Sequence, residues 1–267
     1  VSTPQPPAAA HHGAPAAWLA RREPTVKVGV LLGVSLITLV MFDPAPLAGW
    51  YLLALVGVLA TARMPARTLL LGQAPFVLFA VGLVSVNALS RPGTEIWPGA
   101  PIRVTYEGLS IGIALALRGL LIGVLTLGFL ATTPPRDLMV SLLLRVRLSP
   151  RYAYAILAGH RMLGAMPARW ATIRAAHAVR APLGRDGRPR LGARGWGRCA
   201  FALLTTSVRS AERIALALES RGLADGPRTV WRPVPLGAGD LVLVGVVAAA
   251  IIAGLASQGI LPPAFLG

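Results

Sequence analysis

The chain has 267 residues, 55% of them hydrophobic and 13% charged, with a mean hydropathy of +0.65. Soluble domains carry about 25% charged residues, so these values exclude a soluble fold and define an integral membrane protein. The formal net charge of +16 comes almost entirely from Arg. In such a chain basic loops set orientation and meet anionic headgroups, and the basic stretch carries no recognisable nucleic-acid module, so nucleic acid is not an expected partner. The single cysteine, Cys199, rules out an internal disulfide and a Cys-based metal site. Four scattered histidines without HExxH spacing argue against a zinc enzyme.

Residues 1–20 read as a disordered N-terminal tail, because a run of Pro, Ala and Ser cannot bury a core. The tail lacks the basic start, apolar run and cleavage-site order of a signal peptide. His11 and His12 read as solvated, since two histidines without further ligands make a poor metal cage. Residues 21–132 are expected to hold four transmembrane helices. The first lies over 27–42 and is stopped by Asp43-Pro44. The second, over 47–62, ends in Arg63-Met64-Pro65-Ala66-Arg67, and the third lies over 69–89. A polar loop, Ser90–Arg103, carries three prolines and Trp97, an expected interfacial anchor. The fourth helix, over 104–132, is long enough at about 1.5 Å per residue to cross the bilayer and project beyond it.

Residues 133–238 contain helical patterns but no long charge-free run, and residues 239–267 hold the last span, over 241–260. Between residues 136 and 232 there are 18 Arg against 5 acidic residues. Arg21, Arg22 and Lys27 precede the first span, and Arg63 and Arg67 join the second to the third. The other connections carry only Asp43, Arg91, Glu95 and Arg103. This bias predicts a cytoplasmic N-terminus, 63–67 turn and 133–238 region in a multi-pass protein of the cell (plasma) membrane. The expected fold class is an all-α integral membrane protein with about five transmembrane helices and a cytoplasmic helical region between the fourth and fifth.

Within that region Pro135 suits a first helical turn and Asp137 the positive end of a helix dipole. A short helix reaches Val146 and stops at Ser149-Pro150. A longer one runs from Arg151 to Arg180, with a kink expected at Pro167 or Gly164, and Ala181-Pro182-Leu183-Gly184 ends it. Arg185–Arg198 reads as a Gly/Arg-rich loop near headgroups. A final helix, Trp196–Arg221, is closed by Gly222, which suits a left-handed cap. Leu204, Val208, Ala211, Ala215, Leu218 and Gly222 recur every three or four residues and form an expected apolar stripe. Arg209 and Arg213 lie off it, either as a solvated face or as a site neutralised by headgroups or an acidic partner.

Two Arg-centred triplets close the long helices, Val179-Arg180-Ala181 and Ser220-Arg221-Gly222. On spacing alone each is either an ordinary C-terminal cap favoured by the helix dipole or a surface for another protein, since a guanidinium pairs bidentately with carboxylates. Arg118 and Asn87 are a candidate intramembrane polar site, because a cation at the bilayer centre costs about 3 kcal/mol and has to meet a polar partner. Arg118 reads either as bonded structurally to carbonyls or Asn87, or as part of a substrate path. Gly29 with Gly33 and Gly119 with Gly123 form small-xxx-small patterns that permit close helix approach. His160, His177 and Cys199 have no partner constellation and read as structural. No catalytic residue, cofactor site or metal-ligand set emerges. There is no Walker A pattern, and the only lysine is Lys27, so the chain is not expected to bind or hydrolyse ATP itself.

From about residue 20 to 258 the chain resembles the transmembrane T component of energy-coupling factor (ECF) transporters. Pro24-Thr25-Val26-Lys27 opens the first span as in that family, and Glu107-Gly108-Leu109 precedes Arg118. Thr132-Thr133-Pro134-Pro135-Arg136-Asp137-Leu138 resembles the family's Thr-Thr-Pro-x-(Asp/Glu)-Leu turn. Arg161 starts a stretch similar to the family's Arg, aromatic, aliphatic, Pro pattern, with Gly164 where Pro is common and Ala168 and Arg169 where acidic residues are common. The two triplets resemble the family's paired Ala-Arg-Gly-type motifs, with Ala181 replacing Gly in the first. Ala176-His177 is similar to a variant seen in T components of the pyrimidine/thiamine type.

The resemblance implies that Arg180 and Arg221 end coupling helices that dock on two ABC-type ATPase subunits or one fused ATPase, which hydrolyse the ATP. It implies a substrate-binding membrane S component as a further partner, and a role as the energy-coupling subunit of an ECF-type ABC importer for vitamin or metal-ion uptake. Anionic lipids are an expected partner of the basic region. Two other readings stay open. A membrane-embedded lipid-modifying enzyme would need clustered carboxylates, and the chain has only ten acidic residues. A self-contained permease would need a polar midplane site.

Overall fold

A computed structural model of the chain describes residues 17–97, 103–182, 189–222 and 236–257, most of them helical. The helices are α1 Pro24–Ile37, α2 Pro44–Ala62, α3 Ala66–Ser90, α4 Tyr106–Thr132, α5 Pro135–Arg145, α6 Pro150–Ala178, α7 Ala193–Ser220 and α8 Ala238–Ser257. An isolated antiparallel bridge joins Glu95 to Thr105. The chain divides into two units, residues 1–134 with 235–267, and residues 135–234.

In the first unit each helix boundary has a local cause. The Glu23 carboxylate accepts the Val26 N–H at 2.9 Å and Pro24 fills the first turn, so α1 starts there. Thr105 caps α4 in the same way, accepting the Gly108 N–H at 3.3 Å. Asp43-Pro44 separates α1 from α2, while Arg63 in the left-handed conformation (φ 50°) and Pro65 separate α2 from α3. A 3-10 turn, Thr38–Val40, extends α1.

Helix α4 packs against α1, α2 and α3. Its buried face includes Gly108, Gly112, Ala114, Ala116, Gly123 and Gly128. A methyl added at Gly112 would lie 2.9 Å from Val84 Cα, and one at Gly128 would lie 2.9 Å from Val58. Small residues therefore set the interhelix distance, which matters in lipid because association rests on close dispersion contact. Among the described residues, of the two small-xxx-small patterns only Gly123 meets a neighbour, the Phe76 ring at 3.0 Å, while Gly29, Gly33 and Gly119 meet none. Two clusters complete the interior: Met41, Leu47 and Ala114 with Trp50, and Val58, Leu69 and Val124 with Leu127.

The outer faces are apolar, with Leu78 77% exposed and Phe79, Leu70 and Leu241 also in the open. Surface of this kind belongs in hydrocarbon. Helices α2, α3, α4 and α8 are each long and apolar enough to cross a membrane, and Pro24–Val40 is a shorter apolar helix. The chain is an all-α membrane protein, as its sequence predicts. The segment Trp18–Arg21, assigned in sequence mostly to the tail, is a 3-10 helix with Leu19 buried. Residues 1–16 of the expected tail, and 258–260 of the expected last span, lie outside the described residues.

In the second unit Pro135 and Pro150 open α5 and α6 at the expected punctuation, and α6 runs on through Pro167. Helices α6 and α7 are antiparallel: Trp170 stacks on Trp196 with centroids 5.6 Å apart, and further along Arg169 Nη1 donates to Ser210 Oγ at 3.3 Å. Helix α7 begins at Ala193, inside the segment read as a Gly/Arg-rich loop; residues 185–188 of that segment, and Leu183-Gly184 before it, lie outside the described residues. Its inward face also differs from the predicted stripe. Cys199 and Ser210 are buried, Leu204 and Val208 are exposed, and Ala211, Ala215 and Leu218 line a groove with Ala155, Ala158 and Met162 of α6. Close approach to α6 selects small side chains for the contact and sends the larger Leu204 and Val208 outward. Arg213 Nη2 donates to the same Ser210 oxygen at 3.2 Å, so one of the two arginines expected off the stripe is tied to the helix surface.

Candidate functional site

The triplets terminate the antiparallel pair. After α6 the Val179 N–H donates to Ala175 O at 3.2 Å and the Ala181 N–H to Ala178 O at 3.1 Å, so Val179-Arg180-Ala181 continues as tight turns. Val179 is 88% exposed and Arg180 is exposed beside it, with Ala181 half-buried. At the end of α7, Ser220 Oγ donates to Ala217 O at 3.1 Å and Arg221 is the C-cap. Gly222 follows at φ +76°, its N–H donating to Glu219 O at 2.9 Å. This is the left-handed cap predicted from the sequence, a conformation that favours glycine. Ser220, Arg221 and Gly222 are all exposed. Among the described residues neither the Arg180 nor the Arg221 guanidinium is held by a side-chain hydrogen bond or ion pair. Because the helices are antiparallel, the two arginines stand at opposite ends of the pair. The 28 residues of α7 separate them by about 42 Å at about 1.5 Å per residue.

Arg118 and Asn87 are engaged separately. Arg118 Nη2 donates to Met41 O at 2.7 Å and its guanidinium lies 5.7 Å from the Phe42 ring, while Nε is buried without a partner among the described residues. Met41 follows the end of α1 and its extension, where freed carbonyls and the negative end of the helix dipole favour a cation. Asn87 bonds locally, Nδ2 donating to Leu83 O at 2.9 Å and Oδ1 accepting Arg91 Nε at 3.0 Å. Its Cβ faces Gly112 of α4. Arg118 lies six residues further along α4, about 9 Å by helix rise, and turns to α1 instead. A bond from Arg118 to a carbonyl is thus the geometry observed, with Met41 in place of Asn87.

A third cluster escaped sequence reading. Glu23, Lys27 and Asp240 are 1%, 5% and 3% exposed. Lys27 Nζ donates to Leu19 O at 3.2 Å and Thr132 O at 3.1 Å. Asp240 Oδ1 accepts the Glu23 N–H at 3.0 Å and Oδ2 accepts the Gly237 N–H at 2.8 Å. Arg22 Nε donates to Trp18 O at 3.3 Å, its guanidinium lies 4.7 Å from the Trp18 ring centre, and it packs against Gly239. Burying a charge costs several kcal/mol unless it is paired and hydrogen-bonded, and here acids, a base and backbone groups converge. The bonds join residues 105 and 217 positions apart, which no local pattern can announce. The one visible signal was a lone lysine in an Arg-rich chain. Beside Lys27, a cavity of about 290 Å³ between α1, α2, α4 and α8 has largely apolar walls, including Val34, Trp50, Leu121 and Phe129. Among the described residues no three His, Cys, Asp or Glu side chains gather as a metal site.

Apolar helices able to cross a membrane, interrupted by a basic helical unit, define an integral membrane protein. Residues 15–229 match the family described as cobalt transport protein, CbiQ, and the chain belongs to that family. Membership makes it a component of a transport system. The chain is also 26% identical over 259 residues to a protein of Bifidobacterium longum (strain NCC 2705) named as an ABC transporter ATP-binding protein. That match takes in 92% of this chain and 33% of the other, so the chain spans about a third of the relative's length.

Proposed function

We propose that this chain is the energy-coupling transmembrane subunit of an ECF-type ABC importer. The observation that carries the reading is the pair Arg180 and Arg221, both exposed and unengaged among the described residues, at opposite ends of one antiparallel helix pair. Two such ends suit two ABC-type ATPase subunits, or the two halves of one fused ATPase. An arginine fork pairs bidentately with a carboxylate in a partner's groove. Gly222 keeps the backbone after Arg221 slim enough to enter that groove, and Val179, Ala181 and Ser220 flank the contacts. A relative that contains a segment like this chain and is named for ATP binding supports an ABC ATPase as the partner.

In this mechanism ATPase closure on ATP draws the anchored helix ends, and the displacement passes to the membrane helices. A separate substrate-binding membrane S component then reorients and releases its cargo. The family description favours a metal ion, cobalt first, over a vitamin. The chain itself performs no chemistry and leaves hydrolysis to its partners. The 18 Arg between residues 136 and 232 support a cytoplasmic 133–238 region and N-terminus at the cell membrane, in contact with anionic lipid.

The test is a mild-detergent pull-down of the chain from its native membrane with mass spectrometry. An ABC-type ATPase and a small hydrophobic membrane protein are expected. Arg221→Glu should lower ATPase recovery about tenfold or more while leaving membrane insertion intact. Recovery of the chain alone, with uptake or metal-dependent lipid turnover by the isolated protein, would replace this reading with a permease or an enzyme.

A further inference from the structure

We infer that Glu23, Lys27 and Asp240 form a clasp, a set of positioning residues through which the membrane unit responds as one body when the 135–234 unit is displaced. The inference rests on the coupling role proposed above. The chain passes between the two units at two places, at Pro134–Pro135 and at Val234–Pro235. The clasp stands at both. Thr132, whose carbonyl is held by Lys27 Nζ at 3.1 Å, lies three residues before Pro135. Gly237, whose N–H is held by Asp240 at 2.8 Å, lies two residues after Pro235. Asp240 also takes the Glu23 N–H at 3.0 Å, and Lys27 also reaches Leu19 O at 3.2 Å. The end of α4, the start of α8 and the segment 19–27 are thereby cross-tied through buried charged side chains. Arg22, stacked on Trp18 and packed on Gly239, ties the last two of these a second time.

A staple needed only for folding could sit anywhere along α4. Buried charges are also a costly way to hold helices, since apolar residues of similar volume do at least as well for stability. What charged groups add is one defined arrangement with few alternatives. At the two crossings that property has a use. A displacement that reaches Thr132 or Gly237 meets Lys27 or Asp240 there, before helix bending can absorb it. It then enters α1, α4 and α8 together. Without the clasp the ends of α4 and α8 would move independently and α1 would stay behind.

The sample for the test is the chain recovered with its ATPase, followed by amide hydrogen exchange without nucleotide and with a non-hydrolysable ATP analogue plus magnesium. In the wild type, exchange at residues 19–27, 130–134 and 236–241 should shift together on nucleotide binding, by about threefold or more. Lys27→Met should cut the response at 19–27 by about threefold while ATPase recovery stays within about twofold of wild type, and Lys27→Arg should restore part of it. A role confined to stability would not make the loss depend on nucleotide. A wild-type response at 130–134 with none at 19–27, or a full response in Lys27→Met, would overturn the clasp and leave docking standing. A wild-type chain that retains no ATPase would overturn the docking reading and the clasp with it. If Lys27→Met does not insert, the wild-type pattern decides the question by itself.

Discussion

Lys27 and Arg118 of the membrane unit and Arg180 and Arg221 of the 135–234 unit are all cations, yet the two regions treat them in opposite ways. Lys27 is buried and bonded to Leu19 O and Thr132 O, and Arg118 is bonded to Met41 O. Arg180 and Arg221 are exposed with no such acceptor among the described residues. The difference follows from the surroundings. In hydrocarbon a donor has to find its acceptor inside the protein, so a cation becomes part of the scaffold. At an exposed helix end that requirement lapses, and the guanidinium stays available to a partner. The charge is the same in both places; what differs is whether the surroundings force the cation to find its acceptor inside the protein.

The largest effect that separates the regions should come from Gly112→Leu. The added side chain would meet the α3 backbone at Val84, and overpacking of this kind costs about 3 kcal/mol or more. Loss of a monodisperse peak in detergent chromatography is expected; a wild-type profile would show that the α3–α4 approach does not hold the unit together. Arg221→Glu, by contrast, should leave that profile unchanged and abolish most ATPase recovery. A smaller effect is expected from Arg118→Met. One hydrogen bond is lost but a desolvated cation is removed with it, so the net cost is about 1 kcal/mol or less, a fall in Tm of about 2–4 °C, with ATPase recovery untouched. A rise in Tm would mean that Arg118 is kept for a role other than support. The last is Gly222→Ala, where a left-handed residue acquires a Cβ at a cost of about 1 kcal/mol, so that Tm should fall by no more than about 2–4 °C and ATPase binding should weaken about fivefold. Unaltered binding would show that the cap geometry contributes nothing to docking.

Boundaries were legible where Pro restricts the backbone or Gly permits a left-handed turn: Asp43-Pro44, Pro135, Pro150 and Gly222 all do in the structure what their chemistry requires. Faces were less so. The α7 stripe was drawn through Leu204 and Val208, but the crossing with α6 places Cys199 and Ser210 inside, and only the partner helix decides that. The need of Arg118 for a polar partner was readable from its place in an apolar span. Its identity was not, because the Met41 carbonyl lies 77 residues earlier and every residue carries one. The burial of Glu23, Lys27 and Asp240 depends on three segments meeting, and neither periodicity nor composition encodes such a meeting.

The early end of α1 has a consequence for the lipid. Its 14 residues and the 3-residue extension rise about 27 Å, against about 40 Å for the 27 residues of α4. The hydrocarbon layer is about 30 Å thick, so the turn that carries Asp43 lies below the level that the α4 flank can reach. Hydrophobic mismatch of this kind favours a locally thinned bilayer on the α1 side. Another membrane protein with an equally short span would relieve the same deformation by settling there, a lipid-borne preference that acts before any side chain makes contact.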